Sequence, residues 1–179
     1  KIVLCYLCHY QDRHDYYISL LPVGLVSIAA YLESLGYEVV LANFSKSGYR
    51  KALKDIHALR PDVLGVSIFT HNRVDSIKLI QGVKKDLPKC TIIVGGPHVT
   101  FLTDEYLKRY PEIDYIVRGE GEQAFARLLE QFGQGRFPAS RVVEAEILES
   151  LNSLPPASSF SGAMIGVDPN EQFKHIITT

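Results

Sequence analysis

Val63-Leu-Gly-Val-Ser-Ile68, then Val74 to Leu87, then Cys90-Thr-Ile-Ile-Val94 make up the stretch that decides the fold. The first and third segments are short apolar runs rich in β-branched residues. Arg60-Pro61-Asp62, Pro88 and Gly95-Gly96-Pro97 bound them, so they read as strands. Between them Ile77, Ile80 and Val83 recur at helical spacing, which predicts a helix with one inward face. Strands joined through a helix must run parallel, and such crossovers are right-handed. Neither strand alternates apolar with polar residues, the pattern of a sheet covered by helices on both sides.

The unit repeats in both directions. Upstream, Lys1-Ile-Val-Leu-Cys-Tyr-Leu7 reads as a strand and Cys8 to Leu21 as a long loop. Pro22 opens a helix with Leu25, Ile28, Ala29 and Leu32 on one face, stopped at Gly36. Tyr37-Glu-Val-Val-Leu-Ala42 is a second strand, and Ser47 to Leu59 is a helix facing inward through Ala52, Ile56 and Leu59. Downstream come a short helix from Thr103 to Tyr110, a fifth strand from Ile113 to Val117, and a fifth helix from Glu120 to Phe132. The expectation is an α/β fold with a doubly wound, five-stranded parallel sheet in the flavodoxin-like (Rossmann-like) order. Such sheets bind ligands beyond the carboxyl ends of their strands, at the switch point between the first and third. The pattern dissolves after Gly133. Residues 1–135 are therefore expected to form the α/β domain and residues 136–179 a linker, with Pro155-Pro156 and Ser158 to Gly162 as its loop signals. Phe173-Lys-His-Ile-Ile-Thr-Thr179 reads as a strand cut off from a following domain.

Composition narrows the function. The chain has 179 residues, 46% hydrophobic and 22% charged, which excludes wholesale disorder. Nineteen basic against twenty acidic residues leave no field to attract a polyanion, so nucleic acid is not the expected partner. The longest nearly apolar stretch, Leu20 to Leu32, is too short to span a bilayer. Three cysteines do not make a disulfide framework, and reduced thiols point to the cytoplasm.

The strand ends hold the candidate site. The loop after the first strand carries His9, Asp12, His14, Asp15, Tyr16 and Tyr17. The third strand ends in Ser67-Ile-Phe-Thr-His71, the fourth in Gly95-Gly-Pro-His-Val-Thr100 and the fifth in Arg118-Gly-Glu-Gly-Glu122. Gly95 and Gly96 would let a flat ligand or its tail lie against the backbone, or would simply make a tight turn. Ser67 and Thr70 could donate to a ligand, or cap the next helix. Glu120 and Glu122 suit a helix N-terminus.

Other patterns carry less. Cys5-Tyr-Leu-Cys8-His9 spells a haem-attachment motif, but within a strand Cys5 and Cys8 face opposite sides. As a zinc half-site or redox pair it lacks further ligands or a helix start. Gly119-Glu-Gly-Glu-Gln-Ala124 fits a dinucleotide fingerprint, but on the fifth strand and with two glutamates that would repel a pyrophosphate. A phosphoacceptor aspartate is missing from the third strand, where Ser67-Ile-Phe69 stands. His98 reads as a polar loop residue, and His57 and His175 as surface or linker. No nucleophile–base pair and no metal cluster stand out, so no catalytic residue is assigned.

Four segments in order carry a family resemblance. They are Pro22-Val-Gly-Leu-Val-Ser-Ile-Ala-Ala-Tyr-Leu32, Pro61-Asp-Val-Leu-Gly-Val-Ser67, Val94-Gly-Gly-Pro-His-Val-Thr100 and Asp114-Tyr-Ile-Val-Arg-Gly-Glu-Gly-Glu122. Together they resemble the amino-terminal cobalamin-binding domain of cobalamin-dependent radical S-adenosylmethionine proteins, over about residues 1–132 and more weakly at Leu151 to Pro156. The resemblance implies a domain that holds cobalamin over the carboxyl edge of the sheet, in an enzyme that is commonly a methyltransferase. By position it implies cofactor contacts from Ser67, Phe69 and Thr70, from Gly95, Gly96, Pro97 and His98, and from Gly119, Glu120 and Gly121. It also implies a C-terminal radical domain of the same polypeptide, with a [4Fe-4S] cluster and S-adenosylmethionine, entered where His175 to Thr179 stand. Related cobalamin domains carry Asp-x-His-x-x-Gly, whose His ligates cobalt. Here Asp12-Arg-His14 lacks the glycine, and Gly24 is the nearest substitute, so no protein metal ligand is expected. The competing readings are a vestigial docking module without cofactor and a small nucleotide or flavin binder.

Overall fold

A computed structural model describes residues 1–8, 20–145 and 154–167 of the chain. Its strands are β1 (Ile2–Tyr6), β2 (Val39–Asn43), β3 (Val63–Ser67), β4 (Thr91–Gly95), β5 (Tyr115–Arg118), β6 (Val142–Glu144) and β7 (Ala163–Ile165). Its helices are α1 (Val23–Ser34), α2 (Gly48–Leu59), α3 (Arg73–Asp86), α4 (Pro97–Phe101), α5 (Thr103–Arg109) and α6 (Gly121–Gly133), with a 3-10 turn at Ala157–Ser159. All strand pairs are parallel, in the order β6-β5-β4-β3-β1-β2-β7. The inner five follow the flavodoxin-like order, and the switch point lies between β1 and β3.

The expected five strands are corrected to seven. The two extra strands, β6 and β7, come from the stretch read as linker and extend the sheet at its two edges. Each is three residues long, too short to show a period. What makes them strands is the free edge they meet. Val142 to Glu144 pair with Ile116 to Arg118, and Ala163 to Ile165 pair with Val40 to Ala42. The Arg118–Glu144 ion pair at 2.9 Å clips β6 in place. Helix α4 is also absent from the sequence reading. It is a five-residue helix with Pro97 in its first turn, where a missing N–H costs nothing.

Two cores result, one on each face of the sheet. Leu25, Ala29, Leu32, Ala124, Phe125 and Leu128 bring α1 and α6 onto one face, over Leu4, Ile93 and Val117. Ile56, Leu79, Ile80, Val83 and Val99 bring α2, α3 and α4 onto the other, over Val3, Leu64, Val66, Ile92 and Val94. No described helix is long and apolar enough to cross a membrane. The loop residues His9, Asp12, His14, Asp15, Tyr16 and Tyr17 and the strand expected at Phe173 to Thr179 lie outside the described residues.

Candidate functional site

The register sets Leu4, Gly65 and Ile93 side by side on β1, β3 and β4, facing α1 and α6. The middle position has no side chain. A Cβ at Gly65 would stand 2.5 Å from Leu4 Cδ2 and 3.2 Å from Phe125 Cε2. Further along the same face, Ser67 pairs with Gly95. A cleft of about 320 Å³ opens there, floored by Leu4, Gly65, Ile93 and Val117 and walled by Leu25 and Ile28 of α1 and Phe125 of α6. It rises to the carboxyl ends of β3, β4 and β5, where Ser67, Phe69, Gly95, Gly96, Pro97, Gly119, Glu120 and Gly121 border it. Gly121 lets α6 begin close to α1, because a side chain there would collide with Ile28.

The two adjacent glycines have different jobs. Gly96 has φ +103°, and a Cβ would lie 2.7 Å from the Ile68 carbonyl oxygen, so the backbone itself demands glycine. This conformation aims His98 N–H at the Ile68 carbonyl (3.3 Å), while Ile68 N–H donates to the Gly95 carbonyl (2.8 Å). A Cβ on Gly95 would meet only the Val117 carbonyl oxygen, at an ordinary 3.6 Å. Its missing side chain is therefore space given to the cleft.

Buried Asn72 fixes the loop after β3. Its Oδ1 accepts from Phe69 N–H at 2.7 Å, and its Nδ2 donates to the Ser67 carbonyl at 3.1 Å. Phe69 stacks on His71 and meets Tyr6 edge-on, and the Tyr6 hydroxyl shares a 2.7 Å hydrogen bond with His71 Nε2. Burial, reinforced by Cys8, pushes the Tyr6 phenol well above its ordinary range, so it stays protonated. Thr70 and His98 do not line the cleft. They bond each other, Oγ1 to Nδ1, at 3.1 Å, and His98 packs edge-on against Tyr106. Ser67 and Thr70 do not cap α3, whose cap position is Asn72.

The sequence reading missed Gly65, Leu25, Ile28, Val117, Phe125 and Glu122. Gly65 carried a readable signal, since a glycine inside an apolar strand marks a close approach of something to the backbone. Leu25, Ile28 and Phe125 look like any core residue of an amphipathic helix. Cys5 and Cys8 are free, buried and in opposite cores, which removes a haem linkage or dithiol pair between them. Among the described residues no three His, Cys, Asp or Glu side chains gather to hold a metal ion. The cleft is mostly apolar, with exposed backbone at Gly65, Gly95 and Gly96, and is suited to holding an apolar ligand part.

The B12 binding domain family matches residues 16–129. The chain is 34% identical over 123 residues to the anaerobic magnesium-protoporphyrin IX monomethyl ester cyclase of Rubrivivax gelatinosus, covering 67% of this chain and 22% of that protein. It is 30% identical over 116 residues to the hopanoid C-3 methylase of Methylococcus capsulatus, covering 64% and 22%. It is 39% identical over 129 residues to the 2-(S-pantetheinyl)-carbapenam-3-carboxylate methyltransferase of Streptantibioticus cattleyicolor, covering 66% and 19%. The chain thus spans about a fifth of the length of these curated relatives. Its fold is similar to that of the cobalamin-dependent S-adenosylmethionine radical enzyme OxsB, solved with aqua-cobalamin and S-adenosylmethionine bound. The TM-score is 0.69 at 18% identity, over 91% of this chain and 26% of that one.

Proposed function

The chain belongs to the B12 binding domain family, and on that premise we propose that its glycine-floored cleft takes the nucleotide tail of cobalamin while the corrin lies over the carboxyl edge of the sheet. One observation carries this reading: the cleft opens beside the switch point, and at the strand ends its space is what the missing Gly95 side chain leaves, while Gly65 lets Leu4 and Phe125 close in at its base. A slot made this way would be narrowed at the strand ends by a single branched side chain. In this reading Gly95 and Gly96 present backbone to the tail, and Ser67 offers a hydroxyl beside it. Phe69, Pro97, Gly119, Glu120 and Gly121 form the rim, and the Thr70–His98 pair steadies the loops next to it. When bound, cobalamin would supply methyl-transfer chemistry, and the residues described would hold and orient it.

The whole protein is read as a radical S-adenosylmethionine enzyme of the cytoplasm, a methyltransferase. Its C-terminal domain, on the same polypeptide, carries the [4Fe-4S] cluster and S-adenosylmethionine. Residues 1–135 hold the cofactor in this reading, residues 142–144 and 163–165 add the edge strands of the same sheet, and the residues beyond them lead towards that partner. The names of two relatives support methyl transfer, while a third is named a cyclase; the likeness to a cobalamin-dependent S-adenosylmethionine radical enzyme and the length by which the relatives exceed this chain support the rest. The test is a titration of the purified chain with hydroxocobalamin, followed in the visible spectrum and by equilibrium dialysis. Saturation at one equivalent is expected. Retention no greater than that of an unrelated α/β protein would overturn the reading.

A further inference from the structure

Glu122 stands in the first turn of α6, lines the cleft and is only 5% exposed. Its Oε2 is buried and has no hydrogen-bond partner. The positive end of the helix dipole explains why a carboxylate is tolerated at this position. It does not supply a donor to that oxygen, and buried polar atoms are normally satisfied. The neighbouring Glu120 is exposed, so the two glutamates of Gly119-Glu-Gly-Glu122 are not equivalent. An ionised carboxylate only accepts hydrogen bonds.

Resting on the cleft assignment above, we propose that Glu122 is a specificity-determining residue that accepts a hydrogen bond from a ribose hydroxyl of the cofactor's nucleotide tail. The chemistry of the tail selects the hydroxyl. Its phosphate is an anion that a carboxylate repels, and its alkylated benzimidazole has no N–H to give. The ribose is the part of the nucleotide that donates. Glu122 would thus distinguish a corrinoid that carries the nucleotide from one that lacks it, and would turn the phosphate away from the start of α6.

The experiment compares wild type, Glu122→Leu and Glu122→Gln for binding of hydroxocobalamin and of cobinamide, which has no nucleotide. Leucine removes the acceptor at similar volume, and glutamine keeps an acceptor oxygen. Glu122→Leu is expected to weaken hydroxocobalamin at least tenfold and to leave cobinamide unchanged, with Glu122→Gln recovering most of the loss. The ligand-free melting temperature of Glu122→Leu should not fall, because an unsatisfied buried oxygen has been removed. Unchanged hydroxocobalamin affinity, an equal loss for both corrinoids, or a lowered melting temperature in both variants would overturn the assignment. Wild-type protein that binds cobinamide as tightly as hydroxocobalamin would overturn it as well. Wild-type protein that binds neither corrinoid would overturn the cleft reading and this assignment together.

Discussion

The two faces of the sheet use alternate residues of the same strands and end in opposite states. Toward α2 and α3, β3 and β4 present Leu64, Val66, Ile92 and Val94, all buried in one cluster with Ile56, Leu79, Ile80 and Val83. Toward α1 and α6 the same strands present Gly65, Ser67, Ile93 and Gly95, and a cleft remains. The strand register runs unbroken through both sets, so the difference is side-chain volume and not backbone. Both faces carry a core, and the α1–α6 face leaves ligand space towards the strand ends.

If that division is real, the largest effects on stability come from the packed face and leave binding alone. Leu64→Ala, at a fully buried position, should cost about 3 kcal/mol in urea unfolding while folded protein binds hydroxocobalamin with wild-type affinity. A parallel loss of affinity would break the comparison. Gly96→Ala should cost about 2 kcal/mol, because a residue with a side chain must adopt φ +103° and crowd the Ile68 carbonyl. Unchanged stability there would mean that the turn after β4 is not held as described.

Gly95→Val sharpens the contrast. Its Cβ has room, so stability should shift by no more than about 1 kcal/mol. Binding of hydroxocobalamin should weaken at least tenfold, about 1.4 kcal/mol. A variant that binds normally would move the ligand out of the cleft. The smallest effect belongs again to the packed face. Burial holds the Cys90 thiol up at about 11 against an ordinary 9.0, although Lys84 pulls it down. The folded state therefore keeps this proton longer than the unfolded chain. Its contribution is intact below about pH 9 and is lost progressively as pH rises toward 11. Burial raises the Cys5 and Cys8 thiols as well, with the same sign. The urea midpoint should be lower at pH 10 than at pH 8, and Cys90→Ala should reduce that slope without abolishing it.

Much of this was legible in the sequence, because period and punctuation suffice for long elements. The apolar runs and helices such as the one carrying Ile77, Ile80 and Val83 announce parallel strands and crossovers. Three-residue edge strands such as Val142–Glu144 carry no period of their own and exist because β5 offers an open edge. The rim of the site was legible because small residues cluster after the strands. Apart from Gly65, its floor and walls were not, since Leu25, Ile28 and Phe125 meet only through tertiary packing. Gly95 and Gly96 read alike in sequence, and only the backbone angle at Gly96 separates a strained turn from an open space. Glu122 reads as an ordinary helix-start carboxylate until its burial is known.

The most direct test of the two-faced sheet is a ¹⁵N–¹H shift map of the chain titrated with hydroxocobalamin. The amides of Gly65, Gly95, Gly96, Gly119 and Gly121 are expected to move together and saturably, while those of Ile80 and Val83 on the packed face stay in place. Shifts concentrated on the α2–α3 face, or a saturating titration that leaves the glycine amides unmoved, would contradict that division.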